Sequence, residues 1–315
     1  MTTNHIAEAD LDDEIDLREL FLVLWRAKLL IVVIVAVFAS GSVFYAISLP
    51  NIYQSKALLA PKSLSGNLAS NLQQYAGLAS LAGVSLPGGE ADETTLAYEL
   101  LRSKSFFADH LYEEMVVELM ASKSWDRVSK QLQLDSDIYD IETSTWVRGV
   151  SPPLVAKPHI DEAFQEFLGS VSTSTDTKSN ITTLTARHIS PEVAHDWLGI
   201  IIEKLNESVK NRKVNEANAS ISYLKNQIKD SSLVKMDDIF ASLIEEQTKT
   251  IMLASVSKNF LFSVLQRPDI PLHEAEPKRA LVCILGSFLG VLVAIIFALV
   301  RHYVLAPLNN KAVAL

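Results

Sequence analysis

The chain has one cysteine, Cys283, in 315 residues. No intrachain disulfide can form, so a folded domain must hold by packing alone. Charge is missing from two long stretches. Residues 29–49 and 280–300 contain no Asp, Glu, Lys, Arg or His, the side chains that would mark a proton or ion path through a membrane. Proline is missing from 192 to 266, where Gly199 is the only glycine, so nothing there obliges a helix to stop. A surplus of positive charge is missing too. The net charge of −9 speaks against nucleic acid as a partner. No G-x-x-x-x-G-K-[ST], G-x-S-x-G or H-E-x-x-H occurs. That removes a phosphate-cradling loop, a nucleophile elbow and a zinc-protease helix. No catalytic group, cofactor or metal site is expected. His188 and His195 flank a strand–helix junction without an acid or cysteine at ligand spacing, which predicts packing or surface roles. Glu90, Asp92 and Glu93 precede a helical pattern and suit its N-terminus electrostatically.

The two uncharged stretches dominate what is there. Each is long enough as a helix to cross a hydrocarbon core of roughly 30 Å. The first follows an acidic leader and lacks a small-residue cleavage site, so it reads as a retained anchor rather than a signal peptide. Two spans put both termini on one side. The predicted layout is a tail over 1–28, a span over 29–49, a domain over 50–279, a span over 280–300 and a tail over 301–315. Basic residues nearly balance across the membrane: Arg18, Arg26, Lys28, Arg301 and Lys311 against Lys56, Lys62, Arg267, Lys278 and Arg279. Arg26 and Lys28 abut the first span, which favours cytoplasmic termini. Ile15, Leu17, Leu20, Phe21, Val23 and Leu24 predict an amphipathic helix leading into it, with Trp25 at headgroup level.

The domain reads as mixed α and β. Residues 52–61 alternate as a strand, with Tyr53, Ser55, Ala57 and Leu59 on one face. A short helix is expected near 72–81, a helical run over 95–120 and another over 125–134. Ile160, Ala163, Phe164, Phe167 and Leu168 form a helical stripe. Residues 171–175 and 180–188 read as a hairpin around Asp176-Thr177-Lys178-Ser179.

Ser190-Pro191-Glu192 is a helix start, with serine as N-cap and proline at the first position. A narrow stripe follows through Trp197, Leu205, Val209, Ala217, Ile221, Leu224 and Ile228. Such a stripe needs a partner. One helix over this arm, about 190–266, would span about 110 Å. The dozen or so residues left before the second span reach only about 45 Å. A break at Asp230-Ser231-Ser232 and a descent over 233–264 is the better reading, with a tilted unbroken helix as the alternative. Pro268, Pro271 and Pro277 predict an extended approach to the membrane. Gly286 and Gly290 form G-x-x-x-G, which permits close helix contact. The oligomer or helix-packing candidates are therefore Gly286, Gly290, Ile221, Leu224 and Ile228. The expected fold class is α+β: a small α/β base with a long helix or helical hairpin, flanked by two transmembrane helices.

The ordered set of motifs resembles the Wzz chain-length determinants, the polysaccharide co-polymerases without a fused kinase. Glu14-Ile15-Asp16-Leu17-Arg18-Glu19-Leu20, running into Leu24-Trp25-Arg26, is similar to that family's lead-in to the first span. Pro50-Asn51-Ile52-Tyr53-Gln54-Ser55-Lys56-Ala57 is similar to its tyrosine-bearing strand. Ser190-Pro191-Glu192-Val193-Ala194 with Trp197-Leu198 resembles the opening of its long helix. Pro268, Pro271 and Pro277-Lys278-Arg279 resemble its C-terminal signature, although Leu272-His273-Glu274-Ala275-Glu276 stands where denser prolines would. The likeness is weak over 63–151. It implies cytoplasmic termini, a periplasmic domain in a Gram-negative inner membrane, and ring-like homo-oligomers. It implies control, without glycosyl transfer, of the modal length of O-antigen or a related glycan. The implied partners are a Wzy-type polymerase and the undecaprenyl-pyrophosphate-linked glycan. The alternative is an adaptor for a separate tyrosine kinase in capsule or exopolysaccharide export, for which residues 301–315 offer only Tyr303 as a cytoplasmic handle.

Overall fold

The computed structural model describes residues 17–61, 90–230, 234–257 and 259–302. The acidic leader, the helix expected near 72–81 and residues 303–315 lie outside them. In chain order the elements are α1 (Leu17–Arg26), α2 (Lys28–Ser48), β1 (Tyr53–Pro61), α3 (Glu90–Leu101) and α4 (Tyr112–Ala121). Then come the strands β2 (Ser122–Asp126), β3 (Gln131–Leu134), β4 (Tyr139–Asp140) and β5 (Thr145–Trp146). The rest are α5 (Ile160–Ser170), β6 (Val171–Asp176), β7 (Ile181–His188), α6 (Pro191–Asp230), α7 (Val234–Val256), β8 (Phe262–Gln266) and α8 (Arg279–Val300). They form two compact units, residues 51–275 and residues 1–50 with 276–315.

In the second of these, α2 and α8 are long and apolar enough to cross a membrane. The lead-in helix runs into the first of them through Ala27, whose N–H bonds Val23 O at 3.0 Å and whose carbonyl accepts from Ile31. Trp25 is exposed, with the Lys28 ammonium 5.1 Å from its ring centre.

The larger unit is built on a four-stranded sheet, order β6-β7-β1-β8, with every neighbouring pair antiparallel. Tyr53, Ser55, Ala57 and Leu59 are the buried face of β1, so the alternation visible in the sequence is the pleat of the strand. On that face lie Phe107, Leu111, Met115, Phe164, Phe167, Leu184, Trp197, Ile201 and Leu205, in one continuous core. The helical run expected over 95–120 is interrupted at Arg102-Ser103 and widens to π geometry over Phe107–Leu111. That insertion sets the Phe107 ring 4.9 Å from Phe167 and 5.6 Å from Phe164, a packing gain the local sequence does not advertise.

The helix expected over 125–134 is instead the hairpin β2–β3. Three hairpins share one turn chemistry. Asp126 accepts from Val128 N (2.9 Å) and Ser129 Oγ (2.7 Å). Asp140 accepts from Glu142 N and Thr143 Oγ1, and Asp176 from Lys178 N and Ser179 Oγ. The fifth residue of each turn, Lys130, Ser144 or Asn180, is left-handed with φ of 53–54°. An Asp-x-x-Ser/Thr-x pattern thus satisfies the turn locally and overrides helical periodicity.

These turn hydrogen bonds hold the Asp126, Asp140 and Asp176 carboxyls below the usual carboxylate range. A depressed folded pKa stabilises above the unfolded value of about 3.9 and stops doing so as pH falls through the folded value. Asp176→Asn should therefore lower stability at neutral pH and leave it unchanged near pH 2, measured by urea unfolding at both. His188 adds a term of the same sign at higher pH, with burial as its cause. Burial pushes its pKa down to about 4, so the unfolded chain takes up the proton first. Stability should fall from about pH 6.5 toward pH 4, by on the order of 3 kcal/mol. His188→Gln should flatten that slope.

Candidate functional site

The residues singled out in the sequence fall into three separate places. In the first, α8 lies against α2 through a stripe of small residues. A Cβ added at Gly286 would stand 2.4 Å from Ser42 Cβ, and one at Gly290 2.7 Å from Phe38 Cβ and 3.5 Å from Val35 Cα. Ala294 and Ala298 continue the stripe, both buried. The repeat of four residues keeps all four positions on one face, and the absent side chains let the backbones close. The contact is therefore between the two apolar helices of one chain. Phe44, Leu29, Ile284 and Phe288 point away from it, exposed.

The second place is the pair α6–α7. α6 ends at Asp230 and α7 begins at Val234, which brackets the break expected at 230–232. Leu224 is buried against Phe240 and Leu243, with Ile228 at the margin. Ile221 is half-buried and Lys225 exposed, so the stripe's centre is Leu224 rather than Ile221. The descent ends earlier than 264: α7 stops at Val256, and residues 262–266 are β8 on the edge of the sheet. Asn206 makes that return possible. Its side chain, buried within α6, accepts from Leu261 N at 3.0 Å and donates to Ile202 O at 2.8 Å.

The third is the proline segment. β8 pairs with β1 as far as Gln266, and the chain then continues along the start of β1. Ser55 Oγ donates to Asp269 O at 2.7 Å, and Ala275 N to Ile52 O at 2.9 Å. Pro268 and Pro271 lie in this extended run, and Pro277 precedes α8. Arg127, in the turn of the β2–β3 hairpin, bonds Tyr53 Oη at 2.9 Å and the Glu274 carboxylate at 3.1 Å. Trp125 stands edge-on to Tyr53, ring centres 5.1 Å apart.

Sequence reasoning missed a polar network at the strand–helix junction. Trp197, fully buried, donates from Nε1 to Glu118 at 2.7 Å. Burial raises the pKa of Glu118, and the indole bond works against that rise. His188 Nδ1 accepts from Ser190 N at 3.0 Å, so its proton sits on Nε2, facing Ser122 Oγ and Glu118 O at 3.0 and 3.2 Å. Ser122 Oγ in turn donates to Glu118 O. The imidazole is neutral, satisfied and packed at a tilt against Trp197, ring centres 4.8 Å apart. His195 is half-buried beside the exposed Asp196. Among the described residues no group of three or more His, Cys, Asp or Glu could hold a metal ion. The chemistry available at these places is packing and hydrogen bonding.

The described residues form a mixed α/β unit with a paired helical arm, flanked in sequence by two helices long and apolar enough to cross a membrane. Residues 13–113 match the family model described as Wzz, chain length determinant protein. The resemblance read from the lead-in and the tyrosine-bearing strand thus holds over that stretch. Two solved structures are alike in outline. One is a full-length bacterial polysaccharide co-polymerase, 14% identical, covering 94% of this chain and 99% of that one, with a TM-score of 0.41. The other is a fragment of the polysaccharide co-polymerase WzzB from Salmonella Typhimurium, 10% identical, covering 72% and 100%, with a TM-score of 0.29. Comparison with curated proteins found no match.

Two outcomes follow from this geometry. Gly286→Leu with Gly290→Leu should force α8 off α2, because even a Cβ there would stand 2.4 and 2.7 Å from Ser42 and Phe38 Cβ, read as a lower midpoint of thermal unfolding in detergent. Leu224→Ala should cost about 2–5 kcal/mol, read by denaturant unfolding of the arm, whereas Lys225→Ala should cost within about 0.5 kcal/mol.

Proposed function

We propose that this protein is a non-catalytic regulator of polysaccharide chain length in a Gram-negative inner membrane. It sets the modal length of O-antigen or a related glycan made on undecaprenyl pyrophosphate by a Wzy-type polymerase. Its termini are cytoplasmic, its α/β domain is periplasmic, and it works as a ring-like homo-oligomer. The observation that carries this reading is the match of residues 13–113 to the chain length determinant family. The two helices long and apolar enough to span a membrane, on either side of the 51–275 unit, support it. A regulator of this kind needs no reactive group; it needs surfaces held in fixed relation, and the buried stripes at Leu224, Gly286 and Gly290 are suited to that.

The deciding measurement is the lipopolysaccharide ladder on a gel. Deleting this chain should leave glycan polymerised with its modal clustering lost. Complete loss of polymer would return an enzymatic or export-adaptor role. At equal expression, Leu224→Asp should shift the modal length, since it puts a charge into the α6–α7 contact. Lys225→Asp should leave the ladder close to wild type.

A further inference from the structure

The turn of β2–β3 holds an apolar side chain where the local fold has no use for one. Val128 is 93% exposed, in a turn whose backbone is pinned by Asp126. Leu272 and Ile270, in the proline segment, are 87% and 50% exposed. The Arg127–Glu274 ion pair joins the two elements at 3.1 Å, so Val128 and Leu272 are held within a residue or two of one point. That point is close, along the chain, to both apolar helices. Ile52 and Ala275 are hydrogen-bonded to each other. Only residues 49–51 separate Ile52 from the end of α2, and only 276–278 separate Ala275 from the start of α8. Fully extended, either connection reaches about 14 Å, about twice the roughly 5–8 Å of headgroup layer on one side of a bilayer core.

We propose that this edge is a lipid-contacting surface: Val128, Leu272 and Ile270 enter the headgroup–acyl boundary, and Arg127 and Lys130 lie among the phosphates. The inference rests on α2 and α8 spanning lipid and goes beyond the regulatory reading. Covalent tethering selects the occupant, because both connections keep this edge within reach of the bilayer whatever else binds the domain. The chemistry agrees. Exposed aliphatic side chains beside cations are what an interface of acyl chains and phosphates accepts. Buttressing by Tyr53 and Trp125 and the Asp126 turn make the edge stiff, so insertion needs no folding step.

The test uses the full chain in nanodiscs of phosphatidylethanolamine and phosphatidylglycerol. In a Cys283→Ser background, single cysteines carry an environment-sensitive NBD label at Val128, at Ile141, or at Phe44 within α2. Ile141 is the comparison, because it stands exposed in the corresponding turn of β4–β5. The label at Val128 should shift to the blue and lose emission when shallow doxyl-labelled lipid is included. At Ile141 it should stay aqueous and unquenched. Quenching at Phe44 reports the span itself. Val128 unquenched while Phe44 is quenched overturns the proposal. So does a blue shift at Val128 without doxyl quenching, which would mean that protein covers it. If Phe44 is also unquenched, the membrane reading fails, and this proposal with it.

Discussion

Strand β1 is paired on both edges, and one of its two partners is the strand that closes the domain. β7 lies along one edge in register from Tyr53–His188 to Leu59–Thr182, and β8 along the other. Because β8 comes last, the chain's first and last passages through this unit are forced side by side. The hydrogen bonds from Ala275 to Ile52 and from Ser55 to Asp269 extend that pairing past the ladder. Ser55 is fully buried, so its hydroxyl would cost free energy if left unmade; the proline segment supplies the acceptor. Proline offers no N–H of its own, and so the segment follows β1 through a few chosen contacts rather than as a fifth strand.

The long helix depends on that sheet for only half its length. From Val193 to Val209 it lies in the core, with Trp197 tied to Glu118 and packed on His188. Beyond Ala217 its stripe narrows to Leu224 and Ile228, and α7 covers it through Phe240 and Leu243. A narrow stripe buries little area, so this outer contact is the weaker of the two. Asn206 stands between the regimes. A buried amide inside a helix is normally a cost, here offset because both ends of the side chain find backbone partners, one of them on the returning strand.

Much of this was legible. Alternation exposed β1, a Ser-Pro start marked α6, and the limit on how far an extended chain can return argued for a break near Asp230. The match between those readings and the structure has one cause: each rests on a period or a cap that local geometry alone enforces. The failures share a cause too. Residues 125–134 contain Leu132, Leu134 and Trp125 at spacings that suit a helix, but Asp126-Arg127-Val128-Ser129-Lys130 is a turn. The same Asp-x-x-Ser/Thr-x pattern recurs at Asp140 and Asp176, and that repetition was the available signal. Residues 262–266 continue the arm's lack of proline and glycine, yet become β8 because an open edge of β1 accepts them.

Sequence by itself determined the two apolar helices, the strand and helix faces and the small-residue repeat at Gly286 and Gly290, since each is a property of one segment and its solvent. It also carried the match of residues 13–113 to the chain length determinant family. Which surfaces meet was decided only by the tertiary structure. That Gly290 faces Phe38, that Trp197 finds Glu118, that Arg127 reaches Glu274 and that Leu261 meets Asn206 are contacts between residues tens to hundreds of positions apart. Such pairs leave no local period, because their free energy is gained only when the sheet has already brought the segments together.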